Sequence, residues 1–246
     1  MDGGRRLPTA DPSGRNAVMS CGAALHHFQV AGAALGWASE VHRVPDRSGS
    51  SLLARVELQA EPPSRHAAAD LRVIAERCTD RRRFTSWPVP AEPLRHLADI
   101  ASAQGTRAAP LLDVTARFRV ELLASRASES QQIEAADGLI VLSGSSDDAA
   151  AWLSAGEGLS ALWLAATAQG LSVVPLSHVV DVPETRQALQ HEVLAGQAHP
   201  LLLVRIGWQE ISRSQLPRTE RRPVDDVLDR GEECDPVPQR NAVPAG

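Results

Sequence analysis

Arginines cluster in segment 77–84, which reads Arg-Cys-Thr-Asp-Arg-Arg-Arg-Phe. A guanidinium is planar and carries a fork of N–H donors, so it can form two charge-assisted hydrogen bonds to one phosphate. All 25 basic residues of the chain are arginines, and the formal net charge is −5. Because the whole chain is acidic, the cluster indicates a local anion site rather than a nucleic-acid surface. The alternative is a basic turn exposed to solvent.

Several other catalytic and ligand patterns are missing from the sequence. Cys21, Cys78 and Cys234 are far apart and odd in number, which indicates neither a disulfide framework nor a zinc cluster. The pair His26-His27 has no carboxylate or cysteine that makes a ligand set with it, which favours a structural role and no metal. There is no Gly-x-Ser-x-Gly elbow of a serine hydrolase. With no apolar run of about 18 residues and no signal-like N-terminus, we expect a soluble, cytoplasmic protein that binds neither membrane nor nucleic acid.

Two long segments, 22–37 and 157–171, resemble each other under a shift of 134 positions, which places Gly36 on Gly170. Each segment is rich in small residues, has apolar positions at helical spacing and stops at a glycine. Each therefore predicts a long helix that another helix can approach closely. The repeat is too widely spaced for a solenoid, whose period is about 20 to 50 residues. It predicts two related halves fused in one chain.

The remaining pattern mixes strands and helices without regular alternation, which predicts an α+β fold. The predicted strands are 39–44, 52–58, 138–143, 172–176 and 200–208. The predicted helices are 16–35, 67–76, 93–104, 115–130, 149–169 and a helix that begins with 183–189. Leu53, Val56 and Leu58 predict a buried surface for the second strand. Trp163 is interpreted as core packing and Trp87 as an anchor for its own segment.

Three segments, in this order, resemble the FMN-dependent nitroreductase family: 77–84, 156–177 and 202–207. More closely, three segments resemble the actinobacterial Acg-type branch, in which two nitroreductase-like halves are fused: 20–25, 79–90 and 221–228. The resemblance covers roughly residues 7–228. It implies a three-layer α/β/α sandwich, built as a fused pseudo-dimer around two long central helices.

The resemblance also implies a cofactor and a reaction. FMN would lie at the junction of the halves, and NAD(P)H would supply electrons for a small nitroaromatic or quinone acceptor. The protein then binds the phosphate, shapes a slot for the ring and places the hydride donor, with no catalytic acid or base implied. The residues implied to bind the cofactor are Arg77, Thr79, Arg81, Pro175, Leu176, Ser177, Arg221 and Arg222. The arginine segment is one residue longer than the family's common spacing, which leaves the register open between Arg81 and Arg82. His178 is either a further ligand contact or an ordinary loop histidine.

Two departures from the branch motivate an alternative function. Relatives begin with an earlier segment that contributes to the flavin pocket, and they carry a longer, lid-like insertion between residues 126 and 138. We therefore expect 1–66 to be a truncated first half, 67–230 a second half and 231–246 a disordered tail. The alternative to an oxidoreductase is a non-catalytic protein of the same fold that stores or sequesters flavin, or acts as a scaffold. Either a monomeric fused pseudo-dimer or a homodimer is compatible with this organisation.

Overall fold

The computed structural model describes residue 4 and residues 7–43, 52–127, 133–209 and 220–228. The chain divides into two compact units, Met1–Arg213 and Ser214–Gly246. The helices of the first unit are α1 (Arg15–Ala34), α2 (Ala67–Glu76), α3 (Ala91–Ser102), α4 (Val114–Ala127), α5 (Ala149–Ala168), α6 (His178–Asp181) and α7 (Pro183–Ala188), which continues into a π-helical turn (Leu189–Val193). Its strands are β1 (Trp37–Arg43), β2 (Ala54–Ala60), β3 (Arg107–Pro110), β4 (Gly138–Gly144), β5 (Leu171–Leu176) and β6 (His199–Trp208). The described part of the second unit contains a 3₁₀ turn (Val224–Asp226).

Four strands form an antiparallel sheet in the order β3-β4-β6-β5. Successive side chains of a strand point to opposite faces of its sheet. Ile140 and Leu142 therefore enter a core shared with α3 and α5, whereas Leu139 and Val141 enter a second core shared with α4 and α6. Helices cover both faces of the sheet, so the predicted three-layer α/β/α arrangement and the α+β class are confirmed.

The two long helices α1 and α5 are each 20 residues long, and their ends are related by the shift of 134 positions. Each helix is followed by a glycine with positive φ, 88° at Gly36 and 74° at Gly170. This left-handed conformation is readily adopted by glycine and commonly ends a helix. Strand β1 then follows α1 as β5 follows α5, and each of these strands pairs antiparallel with a later one.

The helices α1 and α5 contact each other backbone to backbone at two glycines. A Cβ placed on Gly22 would lie 2.1 Å from the carbonyl oxygen of Leu153, and one placed on Gly156 would lie 2.0 Å from that of Met19. The two contacts are reciprocal, because the shift of 134 positions relates Gly22 to Gly156 and Met19 to Leu153. The close approach predicted from the small residues is confirmed, since any side chain at either glycine would force the helices apart.

The hairpin of β1 and β2 differs from the prediction of a buried surface. Its register pairs Val41 with Val56 and Glu40 with Glu57, so one face is apolar and the other charged. Val56 is only half-buried, and Leu58 is 45% exposed. Val56 and Leu58 do lie on the apolar face, but Leu53 precedes the strand. Alternation could not show that, among the described residues, the sheet has only these two strands, and its apolar face is incompletely covered.

The structure also decides several smaller predictions. Trp163 is buried, as predicted, but Trp87 is 75% exposed, so its interpretation as an anchor is wrong. The nearby Val89 is the buried apolar residue of that segment.

Strand β3 and helix α6 were missed because four residues are too few to establish a period. The tail predicted at 231–246 lies outside the described residues. Within the described ranges, no helix combines the length and apolar character needed to cross a bilayer.

Candidate functional site

The arginine segment 77–84 follows α2, and its far end is held against β6. The Phe84 ring packs on Gly207, where an added Cβ would lie 2.0 Å from a ring atom. The Arg205 guanidinium stands 4.4 Å from the centroid of the same ring. Its Nη2 also donates a 3.0 Å hydrogen bond to the carbonyl oxygen of Arg82. A glycine and an arginine of one strand therefore position the end of this segment.

The three consecutive arginines of this segment have different surroundings. Arg82 pairs with the buried Asp80, its Nε lying 2.8 Å from Oδ1 and its Nη2 2.5 Å from Oδ2. Arg83 is mostly exposed and its Nε lies 3.2 Å from a carboxylate oxygen of Glu134. Arg81 is exposed and makes no ion pair with any residue that the structure describes. Asp80 therefore largely balances the charge of Arg82, whereas Arg81 offers its guanidinium to solvent.

Arg77 lies at the start of the segment, directly after α2. Its guanidinium carbon is 4.7 Å from the centroid of the Trp163 ring, which α5 holds in a buried position. A cation over an aromatic face is attracted by the ring quadrupole, so Trp163 orients this guanidinium. Thr79, two residues further on, is half-buried. Arg77, the first residue implied by the family motif, is thus held beside α5.

A buried hydroxyl of α5, that of Ser160, bridges two histidines of α1. The Oγ atom lies 2.8 Å from His26 Nδ1 and 3.0 Å from His27 Nδ1, and the latter nitrogen is also 2.7 Å from the carbonyl oxygen of Ala23. A carbonyl oxygen only accepts, so His27 Nδ1 must carry a proton and donate it. This one proton is shared between the Ala23 carbonyl and Ser160 Oγ, and the Ser160 hydroxyl then donates its own proton to His26 Nδ1.

Both imidazoles are neutral in this arrangement. Burial lowers the pKa of His26, and the neighbouring His27 lowers it further. Burial also lowers the pKa of His27, and the positive charge of Arg77 acts in the same direction. The second ring nitrogen of His27, Nε2, is buried and has no hydrogen-bond partner in the described part of the chain. His27 therefore has an unused polar atom close enough to Arg77 to feel its charge.

Glu157 is a fully buried carboxylate on α5. Arg43 of β1 donates to it twice, from Nε to Oε2 at 2.8 Å and from Nη2 to Oε1 at 2.7 Å. Gln29 of α1 adds a longer hydrogen bond of 3.3 Å to Oε1. The hydrogen bond to this carboxylate raises the pKa of Arg43. Because a buried charge is costly unless it is paired, these two partners make the position of Glu157 possible.

The residues Pro175, Leu176 and Ser177 end β5 and lead into α6. Strand β5 is at the edge of the sheet, where proline is tolerated because it need not donate to a ladder. The Leu176 side chain is buried in the core, so only its backbone can face a ligand. Pro175 and Ser177 are half-buried. The Ser177 carbonyl accepts a 2.8 Å hydrogen bond from the N–H of Val180, which fixes the turn into α6.

The N-terminus of α1 reaches this same turn. The buried Arg15 forms an ion pair with Asp181 and donates a 3.4 Å hydrogen bond to the carbonyl oxygen of Val180. Asn16 Nδ2 lies 3.3 Å from the same Asp181 carboxylate. Burial lowers the pKa of His178, whose Nε2 is buried without a hydrogen-bond partner among the described residues. The segment after β5 is therefore held from both halves of the predicted repeat.

Three exposed side chains of the hairpin have potential metal-ligand atoms within 4.8 Å of one another, those of Glu40, His42 and Glu57. His42 Nε2 lies 3.5 Å from Glu40 Oε1 and 3.9 Å from Glu57 Oε1. The two glutamates face each other across the strands, an arrangement that is unfavourable for like charges. All three side chains are exposed, and exposed acidic groups commonly lie together without an ion, so we assign no metal to this cluster.

The structure brings the ends of the arginine segment and of β5 to one core, whereas the predicted site residue Arg77 lies against Trp163, which belongs to the other core. Phe84, at the end of the arginine segment, and Leu176, at the end of β5, belong to the same buried cluster. Arg221 and Arg222 are exposed and belong to the second compact unit. Sequence reasoning assigned no ligand role to His27 and missed Arg43 and Glu157 altogether. The sequence held one signal for the polar contacts between α1 and α5: the repeat aligns His26 with Ser160, and these two residues are in contact.

The antiparallel sheet, with helices on both faces, defines an α/β/α sandwich of the α+β class. The family model described as "Nitroreductase family" matches residues 108–208 of this chain. A Mycobacterium tuberculosis protein that carries the provisional name NAD(P)H nitroreductase is 30% identical, over 93% of this chain and 81% of that protein. The Acg protein of the same organism is 29% identical, over 93% of this chain and 85% of Acg. The chain therefore belongs to the nitroreductase family, in its Acg-type branch.

Solved structures show the same fold. Nitroreductase A from Vibrio parahaemolyticus superposes with a TM-score of 0.52 at 16% identity, covering 68% of this chain and 77% of that one. The NADPH:FMN oxidoreductase from Vibrio harveyi, in complex with NAD⁺, gives a TM-score of 0.50 at 15% identity, covering 67% and 78%. At such low identity the similarity concerns the fold alone.

Proposed function

We propose that this chain is an FMN-binding, NAD(P)H-dependent oxidoreductase that passes electrons to a small nitroaromatic or quinone acceptor. Membership of the nitroreductase family supports the reaction class, and the mycobacterial relative is named for NAD(P)H. The observation that carries the proposal is the position of Arg77, which is oriented by Trp163 and whose charge lowers the pKa of His27. A cation held there, with an unused buried polar atom nearby, fits the phosphate of a flavin nucleotide.

The residues of the arginine segment suit distinct roles toward that cofactor. Arg77 and Arg81 would hold the phosphate, and the Thr79 hydroxyl would support the phosphate or ribityl chain. Arg81 is favoured over Arg82 because Asp80 already pairs with Arg82 at hydrogen-bond distance. Bound FMN would supply the hydride acceptor, while the protein binds, orients and shields it. The backbone of segment 175–177 is proposed to approach the ring. Roles for Arg221 and Arg222 stay predictions from the resemblance.

We further propose that segments 1–66 and 67–230 are related halves that arose by duplication. The same shift relates the ends of α1 and α5, the two positive-φ glycines and the reciprocal contacts of Gly22 and Gly156. In a two-fold symmetric contact, if residue i touches residue j of the partner, then j touches i in return. A single chain would thereby supply the junction that separate subunits provide in a homodimer.

The test is a titration of the purified protein with FMN, followed by flavin fluorescence, and then an anaerobic addition of NADH or NADPH. One tightly bound FMN that is bleached by the nucleotide supports the oxidoreductase. Tight binding without bleaching by either nucleotide supports the alternative, a protein that stores or sequesters flavin. A protein that takes up no FMN contradicts both and supports a scaffold role.

A further inference from the structure

The proposed repeat gives each residue at the α1–α5 crossing a counterpart 134 positions away. Ala23 corresponds to Glu157, His27 to Ala161, and Gln29 to Trp163. Two corresponding neighbourhoods can therefore be compared. The Glu157 side consists of Glu157, Gln29 and Arg43, and the His27 side consists of His27, Ala23, Trp163 and Arg77.

The Glu157 side is internally satisfied. Both carboxylate oxygens accept from Arg43, and one of them also accepts from Gln29. The side chain of Glu157 is fully buried. Its negative charge would repel an anion, and the guanidinium that could attract one is already engaged. We therefore expect no phosphate on this side.

The His27 side is different at each corresponding position. The carboxylate is replaced by the methyl group of Ala23, and Gln29 is replaced by the ring of Trp163, which carries the Arg77 cation. The Nδ1 proton of His27 is engaged by the Ala23 carbonyl and by Ser160 Oγ, so only Nε2 remains to bind a further group. That atom is buried and has no hydrogen-bond partner in the described ranges. A polar atom in such a position calls for a ligand or water to satisfy it.

Charge indicates which ligand suits this side. Burial disfavours a proton on His27, and so does the charge of Arg77. A phosphate dianion would offset both effects, because it is attracted to the imidazolium and to the guanidinium. Two further ionisable groups of the described residues lie at the crossing: His26, which is neutral and bonded to Ser160, and Glu157, which is balanced by Arg43. Neither competes with the anion for the Nε2 atom.

We propose that His27 is a phosphate-binding residue, whose Nε2 takes up a proton from solvent and donates it, together with the Arg77 guanidinium, to a phosphate monoester. That this ester is the phosphate of FMN rests on the function proposed above. The only bond formed is the N–H bond at Nε2, its proton is supplied by solvent, and every bond of the phosphate monoester stays intact. The counterpart position at Glu157 is closed, so the chain has this phosphate position on one side of the crossing.

The experiment measures binding and proton uptake together by calorimetry near neutral pH, in two buffers with different ionisation enthalpies. The ligands are FMN, riboflavin, which lacks the phosphate, and inorganic phosphate. We expect proton uptake with FMN and with inorganic phosphate but none with riboflavin. This part needs no substitution, so it is independent of any effect of a variant on folding.

Variants then assign the proton. His27→Ala should weaken FMN and inorganic phosphate by about tenfold, abolish proton uptake and leave riboflavin unchanged. His27→Gln, which keeps a neutral donor, should recover part of the affinity without the proton uptake. The matched control is Gln29→Ala, two residues along α1 on the Glu157 side, which should leave all three ligands unchanged. Thermal melts of each variant establish that it is folded.

The outcomes separate this proposal from the flavin proposal. Binding of inorganic phosphate that depends on His27, in a protein that takes up no FMN, supports the phosphate site and contradicts the flavoenzyme. FMN binding with the same affinity and proton uptake in His27→Ala overturns the role of His27 and leaves the flavoenzyme standing. An equal loss of riboflavin and FMN affinity in that variant also overturns it, because the effect would then not concern the phosphate.

Discussion

His26 Nδ1 and Ser160 Oγ lie 2.8 Å apart, and these two residues are counterparts under the shift of 134 positions. A residue that contacts its own counterpart lies near the axis that would relate two halves of a repeat. One turn earlier, the counterpart glycines Gly22 and Gly156 bring the same two helices into backbone contact. The polar contact of His26 with Ser160 and the close backbone contacts at the two glycines therefore lie one helical turn apart at the same crossing of α1 and α5.

Replacing Gly22 with alanine should destabilise the protein by about 2 kcal/mol, because the new methyl group would lie 2.1 Å from a backbone carbonyl oxygen. Gly32→Ala in the same helix is the matched control, since its nearest neighbour is at an ordinary 3.5 Å. Alanine is the better helix former, so the control should be neutral or slightly stabilising. Unfolding in urea measures both. Equal effects of the two substitutions would contradict the close crossing.

Replacing Arg43 with glutamine should cost about 3 kcal/mol of unfolding free energy, because it leaves the buried Glu157 charge without its main partner. The partial exposure of Arg43 keeps this estimate at the low end of the range for buried pairs. Adding Glu157→Gln to Arg43→Gln should recover much of the loss. Arg72→Gln, which removes an exposed pair with Glu76, is the control and should change stability by less than about 1 kcal/mol. A double variant as unstable as Arg43→Gln alone would argue against a charge effect.

Stability should fall as the pH drops below about 6.5, the usual pKa of histidine. Burial lowers the pKa of His26 and His27 in the folded protein, so the unfolded chain takes up protons first. Their contribution is complete above pH 6.5 and is lost progressively as the pH falls through the lowered values. Urea unfolding at about pH 7.5 and about pH 5.5 measures this loss.

The control for this pH dependence is His26→Asn, compared with the unmodified protein at both pH values. The variant should lose less stability on acidification. Asp137, whose pKa is raised by burial, titrates in both proteins, so the difference between them isolates the histidine. Identical losses would show that His26 does not contribute.

Replacing Arg81 with alanine should weaken FMN binding by about 1 to 3 kcal/mol if its guanidinium contacts the phosphate. Arg77→Ala should have an effect of similar size. Arg83→Ala is the control within the same arginine segment. Because Arg83 pairs with Glu134, this substitution should leave the affinity for FMN unchanged. Flavin fluorescence titrations measure all three. An Arg81→Ala variant with unchanged affinity would remove Arg81 from the site, and Arg82→Ala would then test the other register.

Local patterns were sufficient for much of the fold. The apolar spacing and terminal glycines of α1 and α5 predicted both helices to within a residue or so, because a helix places side chains at a regular angle whatever surrounds it. The apolar run in β6 predicted a central strand, and the small residues of the long helices predicted that another helix could approach closely. The arginine segment was likewise evident from residue types alone.

Only the tertiary structure decided which groups face one another. Glu157 lies in a helix of mostly small and apolar residues, where nothing marks it as half of a buried ion pair. Its partner Arg43 is 114 positions away on a strand. Asp80 engages Arg82, and Trp163 receives Arg77, although neither preference is visible in the residue types. Leu58 and Trp87 are apolar yet exposed because no described element covers them. Periodicity records the direction of a side chain within its own element, whereas burial and the partner of a charge depend on elements brought together from distant parts of the chain.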